Sequence, residues 1–314
     1  TQLLALLADP DDRVKAAAVV ANGKVARPRL RANFPGSELA QFAPPFDLLR
    51  ANNDKDPHLR NAAVMGLVHL AGNPADLANV LKTAKEADRA KYDVPAVRLG
   101  VLLALRKHKS DRLADFLADA DAKLVAEAAR AIYDERVTAA LPALAKLAEK
   151  TQPDSIAFRA LAANYRLGTP EAAAAVAGFA ARSNEPDYVR AFALKLLGDW
   201  TKPPRRDPIT GLTLDLAPRD QAVAAAALRK AGVAVFAGSA AVRAEAAQVA
   251  TKLNLAEFAP AMAALVRDPK NPASTRVDAL FAVEALKGSD VRELVAAALG
   301  SDEPRLRAAG RSVQ

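Results

Sequence analysis

DKDPHLRNAAVMGL, residues 54–67, reads as a turn followed by an amphipathic helix. Asp56 is of the type that accepts from the free N–H groups at a helix start. Pro57 fits the first helical position, where a missing N–H costs nothing. Leu59, Ala63, Leu67 and Leu70 follow at helical spacing and Ala62 widens the same apolar stripe, with His58 and His69 at its edge. Imperfect copies of this stretch run the length of the chain, each with an acidic turn, an apolar–basic pair and an Ala-rich helix. Aligned on the pair, they are Val14-Lys15, Leu59-Arg60, Val97-Arg98, Phe158-Arg159, Val189-Arg190, Val242-Arg243 and Leu306-Arg307. Thr275-Arg276 keeps only the basic residue and Val125-Ala126 only the apolar one. Most intervals are roughly 30–40 residues, the length of one helical hairpin.

Ahead of each copy lies a second apolar segment of helical spacing, as in residues 77–81, 113–117, 172–179 and 258–265. The expected fold is therefore all-α: a right-handed α–α superhelix, one solenoid over residues 1–314 with about nine hairpins. Composition agrees. Hydrophobic residues make up 51% but aromatics only 5%, which suits thin helix–helix layers better than a β-sandwich.

The chain has no cysteine, which excludes disulfides, thiolate metal sites, covalent c-type haem attachment and cysteine nucleophiles within it. The three histidines, His58, His69 and His108, form no HExxH, and none is followed by Glu. His58 and His69 lie about three helical turns apart, roughly 16 Å, too far to share a metal. Walker, dinucleotide-binding and GxSxG patterns are absent. The segment is thus expected to hold no catalytic residue, metal or cofactor and not to be an enzyme. No apolar run is long enough to cross a membrane. The LLALL run at residues 3–7 reads as a piece cut from a longer chain, with no signal peptide ahead of it.

Two stretches break the period. Residues 23–45 carry Pro28, Pro35, Pro44 and Pro45 with Gly23 and Gly36, so a non-helical insertion is expected; Lys24, Arg27, Arg29 and Arg31 make it a candidate basic loop. Residues 201–219 form the second insertion, after the only tryptophan of the chain. The Pro203-Pro204 pair forbids helix and Gly211 suits a turn. Long structured loops are where repeat proteins commonly bind partners, so Trp200, Arg205, Arg206, Asp207 and Arg219 are the candidate binding residues.

The LxxLLxDPDxxVKxAA form of residues 3–18, repeated along the chain, resembles HEAT repeats. That resemblance implies a ladder of basic residues at Lys15, Arg60, Arg98, Arg159, Arg190, Arg243, Arg276 and Arg307. It further implies turn-acid pairs Asp56/Arg60, Asp93/Arg98, Asp154/Arg159 and Asp187/Arg190. More narrowly, NDKDP-x-LR-x-AAVMGL at 53–67 and W-x-KPP-x-RDPITG with a later PRD at 200–220 resemble the HEAT region of PVC-type haem-binding proteins similar to sugar or sorbosone dehydrogenases. Such a parent implies a propeller domain, a cytochrome c domain and a periplasmic or secreted location, with any redox chemistry outside this segment.

The function expected is a scaffold that contacts neighbouring domains or a partner protein through its loops. A net charge of +8 and a pI near 9.7 keep open an alternative: binding of nucleic-acid backbone, as in the similar helical alkylpurine DNA glycosylases.

Overall fold

The computed structural model describes residues 2–30 and 38–314, with the backbone path alone for 27–30 and 38. The chain divides into two compact units, Thr1–Leu144 and Ala145–Gln314. Among the described residues both are built from helices, without a named strand. The first unit holds α1 (Gln2–Ala5), α2 (Asp12–Leu30), α3 (Glu38–Asn52), α4 (Pro57–Leu70), α5 (Pro74–Thr83), α6 (Glu86–Tyr92), α7 (Pro95–Lys107), a 3-10 segment Asp111–Ala118 and α8 (Ala122–Asp134). After α9 (Leu141–Lys146), the second unit holds α10 (Asp154–Leu167), α11 (Pro170–Ala181), α12 (Asp187–Gly198), α13 (Gln221–Phe236), α14 (Ala240–Lys252), α15 (Ala259–Arg267), α16 (Ala273–Ala285), α17 (Val291–Leu299) and α18 (Pro304–Val313). Each apolar–basic pair falls just inside one member of the series α2, α4, α7, α8, α10, α12, α14, α16 and α18. The hairpin reading and the all-helical class stand. No helix among the described residues is long and apolar enough to cross a membrane.

Asp56 caps α4 as its position predicts, accepting from the backbone N–H of His58 at 2.7 Å and of Leu59 at 3.4 Å. Arg60 pairs instead with Asp54, two residues earlier in the turn, so the expected Asp56/Arg60 pair is corrected to Asp54/Arg60 while Asp56 serves the cap. Arg98 keeps Asp93 at 2.8 Å and adds Asp119 at 3.0 Å, joining the turns of successive hairpins. Arg190 keeps Asp187 at 3.3 Å, and Lys15 holds Asp12 at 2.9 Å. Asp154 receives the Tyr188 hydroxyl, while Arg159 donates to the Ser155 carbonyl at 3.1 Å.

Much of the ladder is arginine to carbonyl rather than arginine to carboxylate. Arg190 Nε donates to Ala180 O at 2.8 Å and Arg276 Nε to Val266 O at 2.9 Å. Arg243 reaches Gly238 O and the Asn271 side chain, and Arg307 reaches Ser301 O. The reason is physical: the last turn of a helix has carbonyls without helical partners and a partial negative charge, which a cation on the next helix satisfies.

Of the expected insertion at 23–45, the described residues 23–30 and 38–45 are helical. α2 continues through Gly23 and Pro28 to Leu30, and α3 contains Pro44 and Pro45. Gly23 is a contact residue rather than a breaker, since a Cβ there would lie 2.8 Å from the Gly66 carbonyl oxygen of α4. In α3, Phe42, Phe46 and Leu49 are buried, and burial of this stripe outweighs the two hydrogen bonds that the prolines cannot make. Lys24 is an exposed residue of α2. Arg31 and the side chains of Arg27 and Arg29 lie outside the described residues. The short α6, inserted within the third hairpin, has no counterpart in the sequence pattern.

Candidate interaction loop

Residues 199–220 join α12 to α13, and the sequence dictates their path closely. The two prolines stop helix after α12. Asp207 then organises a turn around itself: its Oδ1 accepts from Ile209 N at 2.9 Å, Thr210 N at 2.7 Å and Thr210 Oγ1 at 3.1 Å. Its backbone N–H donates to Leu212 O at 2.8 Å, and Gly211 N–H returns to Asp207 O at 3.0 Å. Gly211 takes φ of 69°, where a side chain would be strained. An antiparallel bridge from Arg206 to Thr213 completes a miniature hairpin.

That hairpin is fastened to α10. Arg166 donates from Nη2 to Asp207 Oδ2 at 2.7 Å, with the two side chains 7% and 0% exposed. At the loop base, Trp200 is fully buried and meets Tyr165 edge-on, centroids 5.7 Å apart at 72°. The Tyr165 hydroxyl donates to Asp199 O at 2.9 Å. The Arg219 guanidinium lies 4.8 Å from the Trp200 ring and 4.9 Å from the Tyr165 ring, a cation held between two π faces. Arg219 N–H closes the base on Thr201 O at 3.1 Å. Gly168 ends α10 in the left-handed region, φ 69°, and a Cβ there would lie 2.7 Å from Arg219 Nε. Both its dihedral and its contact demand glycine.

Removal from water lowers the Arg219 pKa, with neighbouring Tyr165 opposing the shift. Burial also raises the Tyr165 phenol above its ordinary 10.0, because a phenolate there would lose its hydration; Arg219 works against this and Asp199 with it. An unfolded chain surrenders this proton near pH 10 while the folded chain keeps it. The stability tied to Tyr165 is therefore complete below that pH and drains away as pH rises above it. In alkaline denaturation, Tyr165→Phe is expected to flatten the fall in stability above about pH 10; an unchanged slope would refute the assignment.

The structure sorts the five candidate residues into two groups. Trp200, Asp207 and Arg219 face inward and brace the loop. Arg205 and Arg206 are exposed on the outgoing arm of the hairpin, and Leu212 on the return arm is 59% exposed. Sequence reasoning missed Tyr165, Arg166 and Gly168, which anchor the loop from α10. The one local signal was a glycine directly after a helical run. The arginine excess is partly neutralised elsewhere: Arg106 of α7 binds Glu127 at 2.7 Å and Glu135 at 2.9 Å.

No family model matches this chain, and no curated protein does. Solved structures similar to it include human deoxyhypusine hydroxylase in complex with glycerol, at 17% identity and a TM-score of 0.27, covering 88% of this chain and 95% of that one. An engineered protein is similar at 15% identity and a TM-score of 0.21, covering 99% and 93%. The first of these carries an enzyme's name, which withdraws the expectation that this segment is not an enzyme. At such distance the likeness assigns no activity either.

Proposed function

We propose that this chain is a helical-repeat scaffold of HEAT type whose loop 199–220 docks a neighbouring domain or a partner protein. The observation that carries this reading is the bracing of the loop. A double aromatic clamp fixes its root and a buried ion pair fixes its hairpin, yet neither uses the exposed side chains of Arg205, Arg206 or Leu212. A preformed hairpin that exposes two cations and one apolar side chain suits an acidic surface with an apolar contact, and the fixed conformation spares ordering entropy on binding. The wording of residues 53–67 and 200–220 supports placement in a larger exported protein with propeller and cytochrome domains. Flanking sequence with a leader and a downstream CxxCH is the expectation there.

A photocrosslinker at position 212 of the full-length gene product tests the docking role. Trapping of one defined partner surface is expected, and Arg205→Glu with Arg206→Glu should cut the yield about tenfold or more. Trapping that ignores the charge reversal would overturn the reading. A random DNA duplex at physiological ionic strength is expected not to compete; salt-sensitive competition would favour the nucleic-acid alternative.

A further inference from the structure

In the first unit, α5, α6, α7 and the segment Asp111–Ala118 line a half-open cavity of about 370 Å³. Its floor is apolar: Leu81 is half-buried, Ala78 and Phe116 show an edge, and Leu77 and Val101 are buried beneath them. Its rim is charged, and the three rim carboxylates are all engaged. Asp93 and Asp119 bracket Arg98 at 2.8 and 3.0 Å, and Asp115 holds Lys82 at 3.0 Å and Arg112 at 2.8 Å. Arg89 is different. Among the described residues it meets no carboxylate within ion-pair distance, and its Nη2 has only a long 3.5 Å contact to the Ala84 carbonyl. Of the three lining cations, Lys82, Arg89 and Arg98, it is Arg89 that has no carboxylate partner among the described residues.

The element that brings Arg89 there is α6, the helix absent from the repeat pattern. Its only buried residue is Tyr92, so packing of its own stripe does not explain its place. It is pinned at its C-terminal end instead: Tyr92 lies 5.5 Å from the Phe46 ring, and its hydroxyl donates to Asp47 at 3.1 Å. Lys91 pairs with the same Asp47 at 2.9 Å. Arg89 stands one turn earlier and is thereby presented over an apolar floor.

We propose that this cavity binds a small aliphatic carboxylate, its chain on Ala78, Leu81 and Phe116 and its carboxylate on Arg89. The volume lies within the range of small-ligand pockets, and an apolar lining with few placed polar groups is their usual make-up. Guanidinium is the group that grips carboxylate in two parallel hydrogen bonds. A cationic or dicationic ligand is disfavoured, because no rim carboxylate is left to receive it. This inference is independent of the docking loop, which lies in the other unit.

The probe is octanoate, titrated calorimetrically into the full chain alongside octanol and octylammonium. Octanoate is expected to bind about tenfold or more tighter than octanol, with octylammonium weakest. Arg89→Gln should remove that advantage and leave octanol binding as it was; the site is exposed and outside the packed stripes, so folding is retained. Methyl resonances of Ala78 and Leu81 should shift with octanoate. Equal affinity for octanoate and octanol, persistence of the preference in Arg89→Gln, or shifts confined to other methyls would each overturn the proposal.

Discussion

Asp207→Ala is expected to destabilise the second unit by about 3–5 kcal/mol, the cost of leaving one member of a buried ion pair without its partner. The Arg166 guanidinium stays behind, 7% exposed, with its carboxylate gone. The same substitution removes the acceptor of three hydrogen bonds that shape residues 207–210. Arg166→Met is expected to cost less, because the stranded carboxylate keeps those three donors. The double substitution Arg166→Met with Asp207→Leu should recover part of the loss, since an apolar pair of similar volume carries no buried charge. Urea unfolding followed by far-ultraviolet circular dichroism measures all three. Strict additivity of the two single changes would show that the pair does not act as one.

The second large effect is expected at Trp200. Truncation to Ala in a fully buried site costs about 3–5 kcal/mol, and here it also strips one of the two ring faces from Arg219. A half-buried cation then loses one of its two ring contacts, so the effect should exceed that of Phe46→Ala, a buried ring that packs on Phe42 and Tyr92. Trp200→Phe keeps a ring face and should be markedly milder. Because Trp200 is the only tryptophan, wild-type emission reports this site alone and is expected to be blue-shifted. Emission typical of water-exposed indole would contradict the clamp.

The hairpins were legible because each carries its own punctuation: a capping acid, a proline or polar residue at the start, and a stripe set by the helical period. Asp56 and Pro57 fix the start of α4 with no help from the rest of the chain. Pairings were less legible. Asp54 and Asp56 are two residues apart in one turn, and choosing between them for Arg60 requires the path of the turn, in which Asp56 faces the helix start and Asp54 meets the arginine. The prolines of α3 misled for a related reason. Their local cost is read directly from the sequence, whereas the burial of Phe42, Phe46 and Leu49 that outweighs it depends on neighbours. The loop was visible as a break in period, and its composition pointed to Trp200 and the arginines. Its anchors were not, because Tyr165 and Arg166 lie more than thirty residues upstream and look like any other residues near a helix end.

One tie has a consequence for how the second unit comes apart. In a repeat stack each hairpin is coupled to its immediate neighbours, so opening spreads by single steps from the ends. The loop leaves α12 and enters α13, yet it is bolted to α10, one hairpin further back. That bond skips a step. The stretch from α10 to α13 should therefore exchange its amide hydrogens as one cooperative block. Fraying that begins at α18 is expected to advance hairpin by hairpin and then halt at α13, until the whole block yields together.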